Sequence, residues 1–345
     1  MDILRHPRDL DRAFRPCVAA LGNFDGFHRG HQVVVGEAGR LAREMGLPLT
    51  VITTEPHPRR FFRPNDPPFR LTPFRERAWL LAHFGVDILG SLVFDRSLAS
   101  MPPQDFVLDC LVAGFEALHV VVGFDYRFGR GRAGGVDMLR WMGEMEGFGV
   151  TVMEPVRISA RGGEAVICSS SEVRDLLRSG APRAAADILG HWWAVSGHVI
   201  AGDRRGHALG YPTANLALGE ALHPRYGIYA VRVMIEHEER VRDAVASFGR
   251  RPTFDNGDPL LEVHLFDFEG DLYDRHLRVE FVDFLRPEER FGSVESLQLQ
   301  MARDCDEARR RLADPANART PLLPPTLDDY LAAHPRPPAA DRTVD

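Results

Sequence analysis

The sequence of 345 residues contains no lysine, and all 42 of its basic residues are arginine. This absence excludes P-loop NTPases and protein kinases, because each needs a lysine that contacts the nucleotide phosphates. Pyridoxal-phosphate enzymes and adenylating ligases are excluded as well, since they use a lysine amine as nucleophile. Any phosphate chemistry in this chain must therefore rely on arginine, histidine, backbone N–H groups or a metal ion.

The chain is also poor in cysteine and in long apolar runs. Its four cysteines are far apart with no CxxC spacing, so we expect reduced structural thiols and neither a zinc site nor a disulfide framework: Cys17, Cys110, Cys168 and Cys305. No run approaches the ~18 apolar residues of a membrane span, and the first residues lack the apolar segment of a signal peptide. These features predict a cytoplasmic protein without membrane contact.

The charge balance bears on the partners of the protein. The net charge of −7 argues against general binding to nucleic acid, because proteins that bind it usually carry a basic excess. We therefore expect small-molecule substrates, no nucleic-acid partner, and a monomer or a weak homo-oligomer. At roughly 150 residues per domain, the length predicts about two domains.

Short apolar runs alternate with helical stretches in the first part of the chain. Strands are predicted at residues 17–22, 47–54, 86–94 and 118–124, and helices at residues 29–46, 74–85 and 102–115. Strands that alternate with helices of this length predict a mostly parallel, doubly wound α/β sheet. Such sheets bind ligands beyond the carboxyl ends of their strands.

The pattern changes after Trp192, where short alternating strands are separated by Gly, Asp, Asn and Pro. This pattern predicts a small all-β unit, an antiparallel barrel or sandwich, followed by an amphipathic helix at residues 293–313. The tail from Asp314 is rich in proline and is predicted to be disordered, apart from a helical turn in LDDYLAAH. We expect domains at residues 1–185 and 186–313, with the tail at residues 314–345.

The motif GNFDGFHRGH, at residues 22–31, lies between the first predicted strand and the first predicted helix. Its glycines permit a tight turn, and the helix start supplies free N–H groups and the positive end of a dipole, which suit a phosphate. His28 and His31 are three residues apart, so one helical turn can direct both imidazoles at one phosphate chain. Gly30 between them allows close approach of the backbone. Without lysine, two histidines are suitable donors to a triphosphate.

The spacing H-x-G-H resembles the signature of the nucleotidyltransferase superfamily. Three further motifs follow in order: EPHP at 55–58, VGFDYRFGRGRAG at 122–134 and SSSEVR at 169–174. Together the four motifs resemble those of the bacterial bifunctional riboflavin kinase/FMN adenylyltransferases, also called FAD synthetases. The resemblance implies a Rossmann-like nucleotidyltransferase domain that adenylylates FMN to FAD with ATP and releases pyrophosphate. Phe27 departs from the family, which more often has a smaller aliphatic residue there.

The same resemblance implies roles for individual residues. His28 and His31 are expected to be catalytic and to polarise the ATP phosphates. The other motif residues are expected to shape the turn or to bind ATP and FMN: Gly22, Asn23, Asp25, His57, Asp125, Arg127, Ser169, Ser170 and Arg174. A serine at this position also fits a helix N-cap, and capping is compatible with phosphate binding. Transfer of AMP to FMN is an in-line displacement that needs positioned donors and usually Mg²⁺, with no protein nucleophile.

A second constellation lies in GDRRGHALGYPTANLAL, at residues 202–218. Thr213 and Asn215 alternate on an extended segment, so both side chains face one side. A hydroxyl and an amide oxygen are hard ligands that suit Mg²⁺ bound to ATP, and the glycines allow backbone amides near the phosphates. With FGRRPTF (248–254) and LEVHLFDFEGDLYD (261–274), the segment resembles the riboflavin kinase domain of the same enzymes. The resemblance implies an antiparallel six-stranded barrel with a C-terminal helix.

The resemblance further implies that Glu262 is the general base for the ribityl 5′-hydroxyl of riboflavin, and that Thr213 and Asn215 bind Mg²⁺. Other residues are expected to bind ATP or riboflavin in this domain: Gly206, Gly210 and Arg251. Ala244 and Asp274 stand where the family commonly has glycine, so a turn or the flavin-binding lip could be perturbed there.

The predicted function is therefore bifunctional, converting riboflavin to FMN and FMN to FAD, with ATP as co-substrate. Two alternatives stay open. In the first, only one site is active, most simply the kinase, and the other domain serves regulation or assembly. In the second, the chain is a flavin-binding regulatory protein without turnover.

Overall fold

A computed structural model describes residues 1–5, 16–159, 165–200, 210–250, 259–318 and 324–335. Gly206 and Arg251, two of the expected ligand-binding residues, lie outside the described residues. The first part of the N-terminal half comprises β1 Asp2–Leu4, β2 Cys17–Leu21, α1 Arg29–Met45, β3 Leu49–Glu55, α2 Pro58–Phe62, α3 Phe74–Phe84 and β4 Ile88–Val93.

The second part of this half comprises α4 Arg96–Ser100, α5 Pro103–Asp105, a π-helical stretch Phe106–Val112, β5 Ala117–Gly123, α6 Val136–Glu146 and β6 Gly149–Met153. A small hairpin (β7 Arg157–Ser159, β8 Ala165–Ile167) and two helices (α7 Ser170–Ser179, α8 Pro182–Leu189) lead to the C-terminal half.

The N-terminal half is a six-stranded parallel sheet in the order β1-β4-β3-β2-β5-β6. All five residues of β2 are buried, as expected for a parallel strand covered by helices on both faces. The strand order reverses at β2, which lies between β3 and β5. Its carboxyl end is therefore the switch point at which doubly wound sheets bind ligands. The predicted α/β architecture is confirmed.

The helix α1 follows this switch point, and its two ends explain its length. Its N-cap is His28, whose side chain accepts a hydrogen bond from the backbone N–H of His31. Its last turn ends at Gly46, which has a left-handed φ of 65° and donates its N–H to the closing carbonyls. A glycine adopts this conformation without the steric cost that a Cβ would bring.

The C-terminal half contains β9 Ala194–His198, β10 Ala214–Ala217, β11 Gly227–Ile235, β12 Val241–Gly249, β13 Leu260–Leu265, β14 His276–Arg286 and the helix α9 Val294–Ala313. The six strands are antiparallel in the order β10-β13-β12-β11-β14-β9. A bridge between Ile200 and Asn215 links the segment after β9 to β10, so the barrel is nearly closed. The predicted barrel with its C-terminal helix is confirmed.

The two halves pack closely against each other. The indole N–H of Trp193 donates to the carbonyl of Leu71 at 2.8 Å. Between α3 and β14, the Arg278 guanidinium lies 2.8 Å from the Glu76 carboxylate, and both side chains are buried. Apolar side chains from both halves share one core cluster.

Part of the C-terminal tail is helical. Residues 327–333 form a helix, α10 Leu327–Ala333, which confirms the helical turn predicted there. Leu327 and Tyr330 of this helix are buried against α1 and α3, and the disorder expected for the rest of the tail stays a prediction. No helix within the described ranges is long and apolar enough to cross a membrane. All four cysteines are buried and free of disulfides.

Candidate active sites

The first site is built on the turn between β2 and α1. Gly26 has a φ of 87°, and a Cβ there would lie 2.7 Å from the side chain of Leu71. Phe24 and Phe27 also have positive φ values, 50° and 42°, which is a costly conformation for large residues. Their buried rings hold the turn in place, since Phe24 packs edge-on against His31 and Phe27 packs against Phe84. The Phe27 side chain, which is larger than the aliphatic residue more usual in the family, thus fills the core beneath the turn.

The two histidines are brought together as expected. The rings of His28 and His31 are stacked, with 3.6 Å between their centroids. Because Nδ1 of His28 accepts the backbone N–H of His31 at 3.3 Å, a neutral His28 ring carries its proton on Nε2. The room for this ring comes from Gly30, where a Cβ would lie 3.0 Å from it. Gly30 therefore serves the packing of His28, a role that the sequence analysis did not foresee.

The histidines of the site are neutral near pH 7. Burial, assisted by the neighbouring His31, holds the pKa of His28 well below its usual range. Burial and the guanidinium groups of Arg174 and Arg77 lower the pKa of His31 to about 3. Burial and Arg70 lower the pKa of His57 to about 4. Each ring therefore offers one N–H donor, and an anion placed beside it would favour the protonated form.

Asp25 anchors the turn to two distant segments. Its carboxylate accepts the backbone N–H groups of Thr72 at 2.9 Å and Leu71 at 3.2 Å, and Arg174 donates to it at 2.6 Å. Burial raises the pKa of Asp25, but Arg70, Arg174 and the two N–H groups outweigh that effect, so the pKa lies below its usual value. Asp25 is therefore an ionised anchor within the protein interior.

The motif at residues 169–174 is brought to the same turn by α7. Ser169 caps this helix by accepting the N–H of Glu172 at 3.2 Å, and Ser170 donates its hydroxyl to the carbonyl of Asp25 at 2.8 Å. Arg174 also donates to the carbonyl of Phe69 at 2.8 Å. The expected phosphate-clamp residues thus lie at the turn, with Arg174 engaged to Asp25.

Two buried arginines beneath the turn were missed by the sequence analysis. Arg70 and Arg77 share the carboxylate of Glu55, with distances of 3.0 Å and 2.7 Å. Arg77 also donates to the carbonyl of Asn23 at 3.0 Å. Burial and the proximity of Arg70 lower the pKa of Arg77 to about 10, so the guanidinium stays charged. Nothing in an arginine-rich sequence distinguishes these two from solvent-exposed arginines.

The remaining expected residues lie around this centre. His57 caps α2 by accepting the N–H of Arg59 at 3.1 Å, and its ring packs edge-on against Phe69. Gly22 closes β2 by donating its N–H to the carbonyl of Ile52 at 3.2 Å. Asp125 and Arg127 are exposed in the loop after β5, the strand next to β2. They therefore lie at the same edge of the sheet, but outside the buried network.

The second site lies on the outer face of the barrel, where α9 covers it. The strand register places Asn215 opposite Glu262 and Glu262 opposite Ser247. Directly opposed residues project to the same face, so these three side chains form one row. A cavity of about 350 Å³ adjoins this row, and its polar lining includes Thr213, Ser247, Glu262, His264, Arg286 and Glu288. Thr213 lines this cavity just before β10, and Asn215 lies within the strand; that the two side chains share a face stays a prediction.

A second carboxylate faces Glu262 from the segment after β14. Burial and the charge of Glu262 raise the pKa of Glu288. Gly249 leaves the space into which the Glu288 carboxylate extends. Nearby, Arg286 is held by both oxygens of Asp304, at 2.8 Å and 2.6 Å. Glu288 was missed because RPEERF contains two adjacent glutamates, and only the fold shows which of them lies beside Glu262.

The oxygen donors of this row fit a Mg²⁺–nucleotide. No group of three or more His, Cys, Asp or Glu suited to a metal ion occurs within the described parts of the chain. A hydroxyl, an amide and one carboxylate are nevertheless hard ligands, and Mg²⁺ is usually held by few protein oxygens together with substrate phosphates. The row therefore suits an ion that arrives with ATP.

The two departures from family glycines have different consequences. Ala244 lies within β12, opposite Val231, with its methyl group buried in the barrel core. It therefore perturbs no turn. Asp274 adopts a φ of 60° just before β14, a left-handed conformation that favours glycine and that aspartate tolerates better than most residues. Gly210, before the P-T-A-N segment, also has a positive φ, 86°.

The two halves match two families of transferase. The family described as FAD synthetase matches residues 10–170, and the family described as riboflavin kinase matches residues 189–312. We call these regions the adenylyltransferase half and the kinase half. A crystal structure described as a macrolide-efflux protein from Streptococcus pneumoniae has a TM-score of 0.77, with 30% identity, over 89% of this chain and 98% of that one.

Similar proteins make the assignment specific. The bifunctional riboflavin kinase/FMN adenylyltransferase of Escherichia coli strain K12 is 38% identical over 88% of this chain and 96% of that protein. The proteins of the same name from Pseudomonas fluorescens and Bacillus subtilis are 38% and 33% identical, over 92% and 89% of this chain and 100% and 96% of theirs. The chain belongs to this family and is a bifunctional enzyme of flavin cofactor biosynthesis.

Proposed function

We propose that the two reactions are divided between the two sites. The row at Glu262 phosphorylates riboflavin to FMN, and the histidine pair at the end of β2 serves the adenylylation of FMN to FAD. The observation that supports this division most strongly is the stacked pair His28 and His31 at the switch point. Two neighbouring imidazoles at the switch point suit a triphosphate and therefore adenylyl transfer. The separate row with Glu262 on the barrel suits phosphoryl transfer to a hydroxyl.

In adenylyl transfer, an oxygen of the FMN phosphate attacks the α-phosphorus of ATP. The bond from the α-phosphorus to the bridging oxygen breaks, and pyrophosphate leaves with the electron pair. His28 would donate Nε2–H to the phosphate chain, and the first N–H groups of α1 would add further donors. The guanidinium groups of Arg77 and Arg174 offset the growing negative charge. The buried turn holds these donors in place before the substrate arrives, so little reorganisation is needed.

In phosphoryl transfer, Glu262 would accept the proton of the ribityl 5′-hydroxyl as its oxygen attacks the γ-phosphorus. The bond to the β-phosphate oxygen breaks, and ADP leaves. Thr213 and Asn215 would hold Mg²⁺, which neutralises phosphate charge when bound. The neighbouring Glu288 has a raised pKa, and we propose that it binds a substrate hydroxyl while Glu262 acts as base.

Product analysis tests this proposal. Purified protein incubated with riboflavin, ATP and Mg²⁺ should form FMN first and FAD later, as resolved by chromatography. Supplying FMN directly and measuring pyrophosphate isolates the second reaction. This measurement distinguishes an enzyme with two active sites from one in which only the kinase site is active. Flavin binding without any consumption of ATP would contradict the proposal and favour a regulatory role.

We also propose that the enzyme acts in the cytoplasm on small molecules, without a nucleic-acid partner, as a monomer or a weak homo-oligomer. The net charge of −7 supports the absence of a nucleic-acid partner. Light scattering over a range of protein concentrations would measure the oligomeric state.

A further inference from the structure

The C-terminal stretch at residues 324–335 follows the kinase half in sequence but packs on the adenylyltransferase half. The riboflavin kinase family match ends at residue 312, so this stretch lies outside both family matches. Its helix α10 contacts α1, the helix whose first turn carries His31. The Tyr330 ring also lies 6.2 Å from the Phe84 ring at the end of α3, measured between ring centroids.

The docking surface on α1 is made by two glycines one turn apart. A Cβ at Gly36 would overlap the ring of Tyr330, and a Cβ at Gly39 would lie 2.5 Å from the side chain of Leu327. Glycine in the middle of a helix is unfavourable relative to alanine. Here the two glycines leave room for the side chains of Leu327 and Tyr330, which are only 6% and 8% exposed. The notch on α1 and the two side chains of α10 are therefore complementary in shape.

Polar contacts surround this apolar contact. Arg43 of α1 donates to Asp328 at 2.6 Å, and the His83 ring at the end of α3 lies 3.0 Å from the carbonyl of Pro324. Thr326 and Asp329 form a capping box at the start of α10. A helix of seven residues is not stable alone in water. The burial against α1 and α3 must therefore supply the stability that α10 lacks.

We propose that residues 324–335 are a docking segment of the adenylyltransferase half, by which the end of the chain stabilises α1 and α3. The occupant of the Gly36–Gly39 notch is the chain's own segment at residues 324–335. Within the described residues, the contacts of this segment are with α1 and α3, so we expect the stability of the kinase half not to depend on it. This inference goes beyond the two reactions and does not depend on the roles proposed for the catalytic residues.

A cycle of variants in the full chain tests the contact: Gly36→Ala, Tyr330→Ala and the double variant. In the native chain, Gly36→Ala should lower the melting temperature, because its methyl group has no room beside the Tyr330 ring. In the Tyr330→Ala background the same change should raise it by about 2 °C, because alanine favours the helix and the obstacle is gone. A rise in both backgrounds would show that α1 is uncovered and would overturn the proposal.

Hydrogen exchange locates the effect. Leu327→Ala should speed amide exchange in α1 and α3 and leave the barrel strands β11–β14 unchanged. Leu299→Ala on α9 is the matched control. This substitution removes the same atoms as Leu327→Ala, but from a side chain that is 56% exposed. Equal exchange in α1 for both variants would refute the docking. Protection of α1 that rises with protein concentration would instead assign the segment to a second copy.

Discussion

The two proposed catalytic centres are assembled in different ways. The kinase row comes from neighbouring strands of one antiparallel sheet, in which the register alone places Asn215, Glu262 and Ser247 side by side. The adenylyltransferase centre gathers a turn, the segment around Thr72 and the helix α7, which are far apart in sequence, around one buried carboxylate, Asp25. The pairing of three adjacent strands is enough to build the first arrangement, whereas the second needs a turn, a loop and a helix from distant parts of the half to be folded together.

The largest expected effect comes from Glu262, the proposed general base of the kinase reaction. Glu262→Gln keeps the shape of the side chain but removes the proton acceptor, so FMN formation should fall about 10²–10⁴-fold. FAD formation from supplied FMN should persist. Each reaction is measured separately by chromatography, with Glu239→Gln, an exposed residue of the same half, as the control. Equal loss of both activities would contradict separate sites.

His31→Ala should have the reverse effect. Loss of a preorganised donor at the phosphates should lower FAD formation on the order of 10²-fold to 10³-fold, while riboflavin phosphorylation continues. His198→Ala, at an exposed position of the barrel, serves as the control. If FMN formation fell in parallel with FAD formation, the two halves would share one site or one folding unit.

Arg77→Met tests the buried network that supports the histidine turn. The change leaves the carbonyl of Asn23 without its donor, and Glu55 keeps only Arg70, so we expect a loss of about 1–3 kcal/mol in the free energy of unfolding. Arg75→Met on the same helix is the control, because the Arg75 side chain is 61% exposed. Urea unfolding measures the free energy of unfolding of both variants. An equal loss in the two variants would argue against a stabilising role for the network.

Acid should affect the two centres unequally. The pKa values of His31 and His57 in the folded protein, about 3 and about 4, lie below the ordinary value near 6.5 that applies in the unfolded chain. As the pH falls, the unfolded chain binds protons first, so the stability of this half is complete above about pH 7 and declines from pH 6.5 towards pH 4.

The measurement is hydrogen exchange at pH 7 and at pH 5. Once the slower intrinsic exchange of amides at the lower pH is divided out, the protection factors of α1 should fall at pH 5 more than those of β11–β14. In the kinase half, Glu288 has the opposite effect on stability as the pH falls. Its pKa is raised, so protonation of this carboxyl favours the folded state. An equal loss of protection in the two halves would show that the buried histidines do not control acid stability.

Much of both folds follows from patterns in the sequence. Alternating strands and helices predicted the parallel sheet, and α1 was located between the histidine motif and Gly46 within one residue of its observed end. Strand alternation, a local rule, predicted a shared face for Thr213 and Asn215, whereas Glu262 was singled out by the family resemblance and its place opposite Asn215 comes from the strand register. The helical turn in LDDYLAAH was predicted as well, but its docking on α1 was not, because a local pattern does not show that Leu327 and Tyr330 fit beside two glycines near the start of the chain.

By itself, the sequence determined the two fold classes, the position of the histidine turn before α1 and the chemistry open to a chain without lysine. Residue types and short-range periodicity carry that information. Only the tertiary structure decided that Gly30 makes room for the His28 ring, that Arg70 and Arg77 converge on Glu55, and that Glu288 faces Glu262. These outcomes depend on contacts between residues distant in sequence, and burial then sets their charges, because desolvation acts only once the chain has packed.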